Sequence, residues 1–198
     1  VADAENLETD ANDAVTLVTN ENAKADFEAR IKDQKVLVDA AKDELGEAAA
    51  QALAESAVLT YELAPITTLD EITTAEGLEA IVNAAVASVK DVTAHDAFAL
   101  RVSAHKVLVD TAKTALKNAA AVSAINTANT DGMETAITTH TTTLELVLTD
   151  YIALISKDSV HIALVGQSFA DKEAVKTAFD NVVATQKATE AVKAITSF

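Results

Sequence analysis

The chain has no cysteine and no tryptophan, a single proline, four glycines and only 4% aromatic residues. Without cysteine there is no disulfide framework and no thiolate chemistry, a composition that suits the cytosol and a cysteine-poor cell surface alike. So few prolines and glycines leave little to interrupt regular structure. No apolar run approaches the ~20 residues that a membrane-spanning helix needs, so membrane insertion is not expected. Positive charge is also scarce: 15 basic residues face 31 acidic ones, a net charge of −16, and no basic stripe offsets it. Such a surface repels the phosphates of nucleic acid and of anionic lipid, so neither is an expected partner. Its ordinary role is to keep the chain in solution, and weak binding of divalent cations is the one ligand behaviour the charge invites. The start at Val1, without Met or a charged-then-apolar leader, is expected of a processed protein or a fragment.

What the chain has in quantity is small apolar side chains. Hydrophobic residues make up 49% of 198 positions, enough to build a core and to exclude generic disorder. Most are Ala, Val, Leu and Ile, which suit closely approaching helices, and the abundant Ala, Glu, Lys and Leu favour the α-helix.

The chain also resembles itself. "KVLVDAAK" at Lys35–Lys42 returns as "KVLVDTAK" at Lys106–Lys113, 71 residues later. The same shift carries "AENLE" at Ala4–Glu8 onto "AEGLE" at Ala75–Glu79, and it carries Phe27, Arg30 and Leu45 onto Phe98, Arg101 and Leu116. No gap is needed, which indicates duplication. Ile152, Ser159, Val160 and Phe169 continue the shift from Ile81, Ser88, Val89 and Phe98 as a fainter third copy. The expected fold is therefore all-α: tandem ~71-residue helical repeats, each a short helix followed by a long one, packed as elongated helical bundles. Repeat 1 covers 1–71, repeat 2 covers 72–142, and an incomplete repeat 3 covers 143–198.

In the first copy the short helix is expected over Ala4–Val18, followed by a turn at Thr19–Asn22 and a long helix from near Lys24. Phe27, Ile31, Gln34, Val38, Ala41 and Leu45 step by four and three, the seam of a packed helix, and Phe98, Val102, His105, Val109, Ala112 and Leu116 repeat it. Val38 and Val109 of the octapeptides point into that seam, whereas their lysines and aspartates point out. Gly46 is a candidate kink or end, Pro65 stops the helix, and Thr73 or Thr74 is expected to cap the next one. Later, "NTDGMETAI" reads as a turn and helix start, and the Thr-rich stretch Thr138–Leu148 has raised β-propensity. A short helix ending at Gly166 and a long one over Ala170–Thr196, with Val175, Phe179 and Val182 apolar, complete the chain.

No catalytic, cofactor-binding or metal site is expected. His95, His105, His140 and His161 have neither HExxH nor Glu-x-x-His spacing, and His105 at a seam position reads as a structural polar contact. "ETDANDA" at Glu8–Ala14 and "NTDGME" at Asn129–Glu134 do not fit the EF-hand loop, so Asp10, Asn129 and Asp131 are expected to cap or turn. There is no G-x-S-x-G elbow, no G-x-G-x-x-G and no P-loop. The adjacent carboxylates Asp43/Glu44 and Asp70/Glu71 lie on helical or linker segments with no cleft to perturb them.

Through "GQSFADKEAVKTAFDNVVATQKATEAVKAI" and "AINTANTDGMETAI" the chain resembles the helical tandem-repeat modules of Gram-positive surface proteins, of S-layer and FIVAR-like type. The resemblance implies an extracellular stalk, spacer or assembly segment, with neighbouring repeats or other surface-protein subunits as partners and no catalytic residues to carry over. A groove between helical units that holds a peptide, a glycan or an apolar ligand is the alternative expectation.

Overall fold

A computed structural model of the chain describes residues 2–196, and every described regular element is helical. The expected module ends at Val1 and Phe198 lie outside the described residues. In order, the helices are α1 (Ala2–Thr16), α2 (Glu21–Glu62), α3 (Leu69–Ala87), α4 (Val92–Thr127), α5 (Thr130–His140), α6 (Thr149–Ala153), α7 (Asp158–Leu164) and α8 (Lys172–Thr196). The backbone divides into two compact units: residues up to Ala64 with Ala75–Lys106, and Pro65–Thr74 with the residues from Val107 onward.

In the first unit a polar turn after Thr16 lets the chain reverse. The Asn20 side chain then accepts the Ala23 N–H at 3.1 Å, so α2 starts at Glu21 and not near Lys24. From there α2 runs 42 residues without a break. Gly46 does not end it: the glycine is exposed, and a helix costs only backbone entropy there. Two ion pairs clasp α1 to α2, Lys35–Glu8 at 3.4 Å and Lys42–Glu5 at 2.5 Å. The outward lysines of the octapeptide therefore bind the neighbouring short helix, and Lys35 additionally reaches Asp39 one turn on. In the C-terminal half of α2, Ala54, Val58 and Tyr61 step by four and three and are completely buried.

The start of α3 differs from the expectation. Thr68 and Glu71 form a reciprocal capping box: the Glu71 N–H donates to Thr68 Oγ1 at 3.2 Å and the Thr68 N–H to Glu71 Oε2 at 3.1 Å. Thr73 and Thr74 lie inside the helix, where their hydroxyls donate back to the Leu69 and Asp70 carbonyls. The Thr-x-x-Glu pattern outcompetes them because it satisfies two free N–H groups at once. α4 begins behind Asp91, whose Oδ1 accepts the Ala94 N–H at 2.8 Å.

In the second unit, one core joins Val122 and Ile125 of α4, Met133 and Ile137 of α5, Leu144, Tyr151, Val160 and Leu164, and Val175, Phe179 and Val183 of α8. Of the apolar residues expected on α8, Val182 is partly buried beside this core and Val183 takes the inward position. Asn129 caps α5 through the Gly132 N–H at 2.8 Å, as expected, with Asp131 in its first turn. Asp10, by contrast, lies exposed in the middle of α1 and caps nothing. The Thr-rich stretch divides: α5 continues to His140, then a turn closes on Glu145 at φ 53°, with the Leu146 N–H donating to the Thr141 carbonyl. α7 ends before Gly166 at φ 75°, as expected. Phe169 lies in the loop before α8, and the aromatic residue on that helix is Phe179.

Candidate functional site

The chemistry-bearing residues do not converge. His95 is exposed beside its neighbour Asp96, His105 is buried against Tyr61, and His140 closes the last turn of α5. His161 is buried, its Nε2 2.8 Å from the Tyr151 hydroxyl. Burial pushes that phenol up to about 12, and the nearby Glu134 carboxylate adds to the shift. Tyr151 also packs on Phe179, with ring centroids 5.4 Å apart. Both side chains of this pair are buried. Among the described residues no three His, Asp or Glu side chains are grouped to hold a metal ion, and no helix is long and apolar enough to cross a membrane.

The acidic side chains have a different employment. Glu47 on α2 accepts the N–H groups of Lys90 at 2.9 Å and Asp91 at 3.1 Å, and the Gln51 amide at 3.0 Å. Glu190 on α8 accepts the N–H groups of Ile155 and Ser156 and the Gln186 amide. The Gln51 amide and these N–H groups hold the Glu47 carboxyl below the usual glutamate range, and the Ile155 N–H leads the same effect at Glu190. Each carboxylate fastens a loop to a long helix.

The helix pairs present the most distinctive surface. Adding 71 to Glu8 and Lys35 gives Glu79 and Lys106, and these form the same pair between short and long helix, at 3.1 Å. In the second unit Asp150 and Lys187 join α6 to α8 at 2.6 Å. Around the second pair the seam is closed: Val82, Val86, Val102 and His105 are all buried. The Tyr61 ring stands edge-on to His105 at 4.6 Å, and Arg101 grips two carboxylates of α2. Its Nη1 donates to Glu55 at 2.7 Å, and its Nε and Nη2 donate to Glu62 at 3.0 and 2.6 Å. The guanidinium bonds hold the Glu62 carboxyl below its usual range, and the Arg101 cation is stabilised in turn.

Around the first pair the seam is open. Leu7, Val15, Phe27, Ile31, Gln34 and Val38 line a groove of about 660 Å³ between α1 and α2. Leu7 is 66% exposed and Phe27 40%. Arg30, the counterpart of Arg101, lies over the Phe27 ring at 5.9 Å and makes no ion pair among the described residues.

The 71-residue shift sets Phe27 and Arg30 on the positions of Phe98 and Arg101, but nothing in the sequence marks a role for the arginines. Glu55, Tyr61 and Glu62 carry no mark of their contacts in the sequence. The one signal is the recurrence of an arginine in step with the seam, three residues after the phenylalanine. No known protein family, no characterised protein and no solved structure matches the chain.

Proposed function

We propose that the chain is a non-enzymatic structural and interaction module, a stalk, spacer or assembly segment of a bacterial cell-surface or S-layer-type protein. It consists of tandem helical repeats of about 71 residues, each pairing a short helix with a long one, and its surface chemistry serves contact between modules. The observation that carries this reading is the recurrent clasp, Glu8–Lys35 and then Glu79–Lys106, set on one seam pattern. Glu47 and Glu190 each fasten a loop to a long helix, which fits a structural role for the acidic side chains. The resemblance of the Ala-rich, cysteine-free helices to Gram-positive surface repeats supports the location. Antibodies raised against the folded chain are expected to label intact cells of the source organism, and brief protease treatment of those cells is expected to remove the label. Labelling only after lysis overturns the surface location.

The open groove between α1 and α2 favours one further reading, a binding module for a peptide, a glycan or an apolar ligand. Chemical-shift mapping against a short-oligosaccharide panel and an apolar dye separates these classes, because binding of either confined to the Leu7–Phe27 groove supports a small-ligand site.

A further inference from the structure

We infer that the groove between α1 and α2 receives an amphipathic helix bearing two carboxylates seven residues apart, with an aromatic residue just before the second. Such a segment is the C-terminal half of the long helix of another module of the same design. The inference rests on the modular reading above and adds the partner, the surface and the residues that recognise it.

Two helix pairs whose clasps lie in the first unit share one short-to-long-helix ion pair but differ in cover. In α3 and α4, Val82, Val86, Val102 and His105 are buried, and the α2 stretch Glu55–Glu62 lies along Arg101 and His105. In α1 and α2, the positions 71 residues earlier are Ala11, Val15, Ile31 and Gln34, and they line the open groove. The clasping ion pair is present in both, so the scaffold beneath the groove is complete. Arg30 stands 71 residues before Arg101, which binds Glu55 and Glu62, but among the described residues its guanidinium has only the Phe27 ring beneath it. A cation at the edge of an apolar groove selects for acidic groups at the edge of the entering helix. Gln34 replaces His105 on the groove floor and can meet an aromatic ring or its hydroxyl.

A second copy of this chain does not supply the occupant. Its Glu55, Tyr61 and Glu62 are already engaged with its own Arg101 and His105. On α8, Glu190 is held by the Ile155 and Ser156 N–H groups. The occupant is therefore a long-helix segment of a separate module with its acidic edge free.

A labelled synthetic peptide with the sequence of Glu47–Leu63 serves as the probe and is titrated into the full chain by fluorescence anisotropy and NMR. Binding is expected, with shifts centred on Leu7, Phe27, Arg30 and Ile31. Arg30→Glu, at an exposed position, is expected to keep the helical circular dichroism and to weaken binding about tenfold or more by like-charge repulsion. A peptide carrying Glu55→Lys and Glu62→Lys is expected to prefer the Arg30→Glu chain, which a purely apolar contact would not produce. No binding, shifts centred away from the groove, affinity indifferent to Arg30→Glu, or occupation of the groove by self-association of the chain each overturn the inference. Loss of peptide binding with intact surface labelling discards the groove partner alone. Peptide binding without surface labelling discards the location alone.

Discussion

Gly46 and Gly166 both have open space where a side chain would begin, yet substitution is expected to act in opposite directions. Gly46 lies exposed inside α2, where alanine removes unfolded-chain entropy and meets no neighbour, so Gly46→Ala is expected to stabilise by roughly 0.5–1 kcal/mol. Gly166 holds φ at 75°, a left-handed conformation that costs an L side chain about 1–2 kcal/mol, so Gly166→Ala is expected to destabilise by that amount. Thermal melts of the two variants test the pair, and a shift of the same sign for both contradicts it. The larger residue effect belongs to Phe179, which is 1% exposed and packed on Tyr151 in the second core. Phe179→Ala is expected to cost about 3–5 kcal/mol, because the surrounding helices cannot close fully over the lost ring. Urea unfolding followed by circular dichroism measures it, and a loss under about 1 kcal/mol would mean the site collapses freely.

Helices are legible in the sequence because periodicity is a many-residue signal, and Val102, His105 and Val109 of the expected seam are buried, whereas Phe27 and Leu45 of its first copy are exposed. Helix starts were less legible because they turn on single side chains. Thr68 and Glu71 spelled a capping box, but neighbouring Thr73 and Thr74 offered the same chemistry, and only the three-dimensional path selects among them. Least legible were contacts between elements, such as Glu47 with the loop before α4, or Arg101 with two glutamates far along the chain. Pattern within a helix fixes which face is apolar, not which partner covers it. Arg101 is the test at this scale. Its side chain is 33% exposed, so solvent screens its pairs in part, but the forked contact to Glu62 and the bond to Glu55 are of the stronger kind. Arg101→Ala is expected to cost about 1–2 kcal/mol, and Arg101→Lys to recover less than half, because an ammonium cannot bind two carboxylates in a fork. Arg30→Ala is expected to leave the free chain's stability within about 0.5 kcal/mol of the parent, since its exposed guanidinium makes no ion pair among the described residues. Equal losses at 30 and 101 would contradict the difference between the two helix pairs.

Across the whole molecule, a net charge of −16 opposes compaction, while individual carboxylates favour it by binding lysine, arginine or backbone N–H groups. These two contributions respond oppositely to solution conditions. At neutral pH, added salt screens the diffuse repulsion over a Debye length of about 10 Å at 0.1 M, so moderate sodium chloride is expected to raise the melting temperature. A steady fall with salt would mean that the clasping ion pairs outweigh the repulsion. Acid isolates the second contribution. Gln51 and the Lys90 and Asp91 N–H groups act at Glu47, Thr67 at Glu71, and the Ile155 N–H at Glu190, and each carboxyl is held below its ordinary value of 4.5. A group whose folded value is depressed binds fewer protons folded than unfolded, so its stabilisation is complete above the ordinary value and is lost as pH falls through the folded one. Stability is therefore expected to hold from neutral pH down to about 5 and to decline steeply below it. The combined variant Glu47→Gln, Glu71→Gln and Glu190→Gln should begin less stable at pH 7 and lose less on acidification, so its curve approaches that of the parent as the pH falls. Urea midpoints at steps between pH 7 and 3 read both curves. Curves that run parallel through the acid range would show that these three carboxylates do not fasten the loops, and would return the acid sensitivity to the bulk charge.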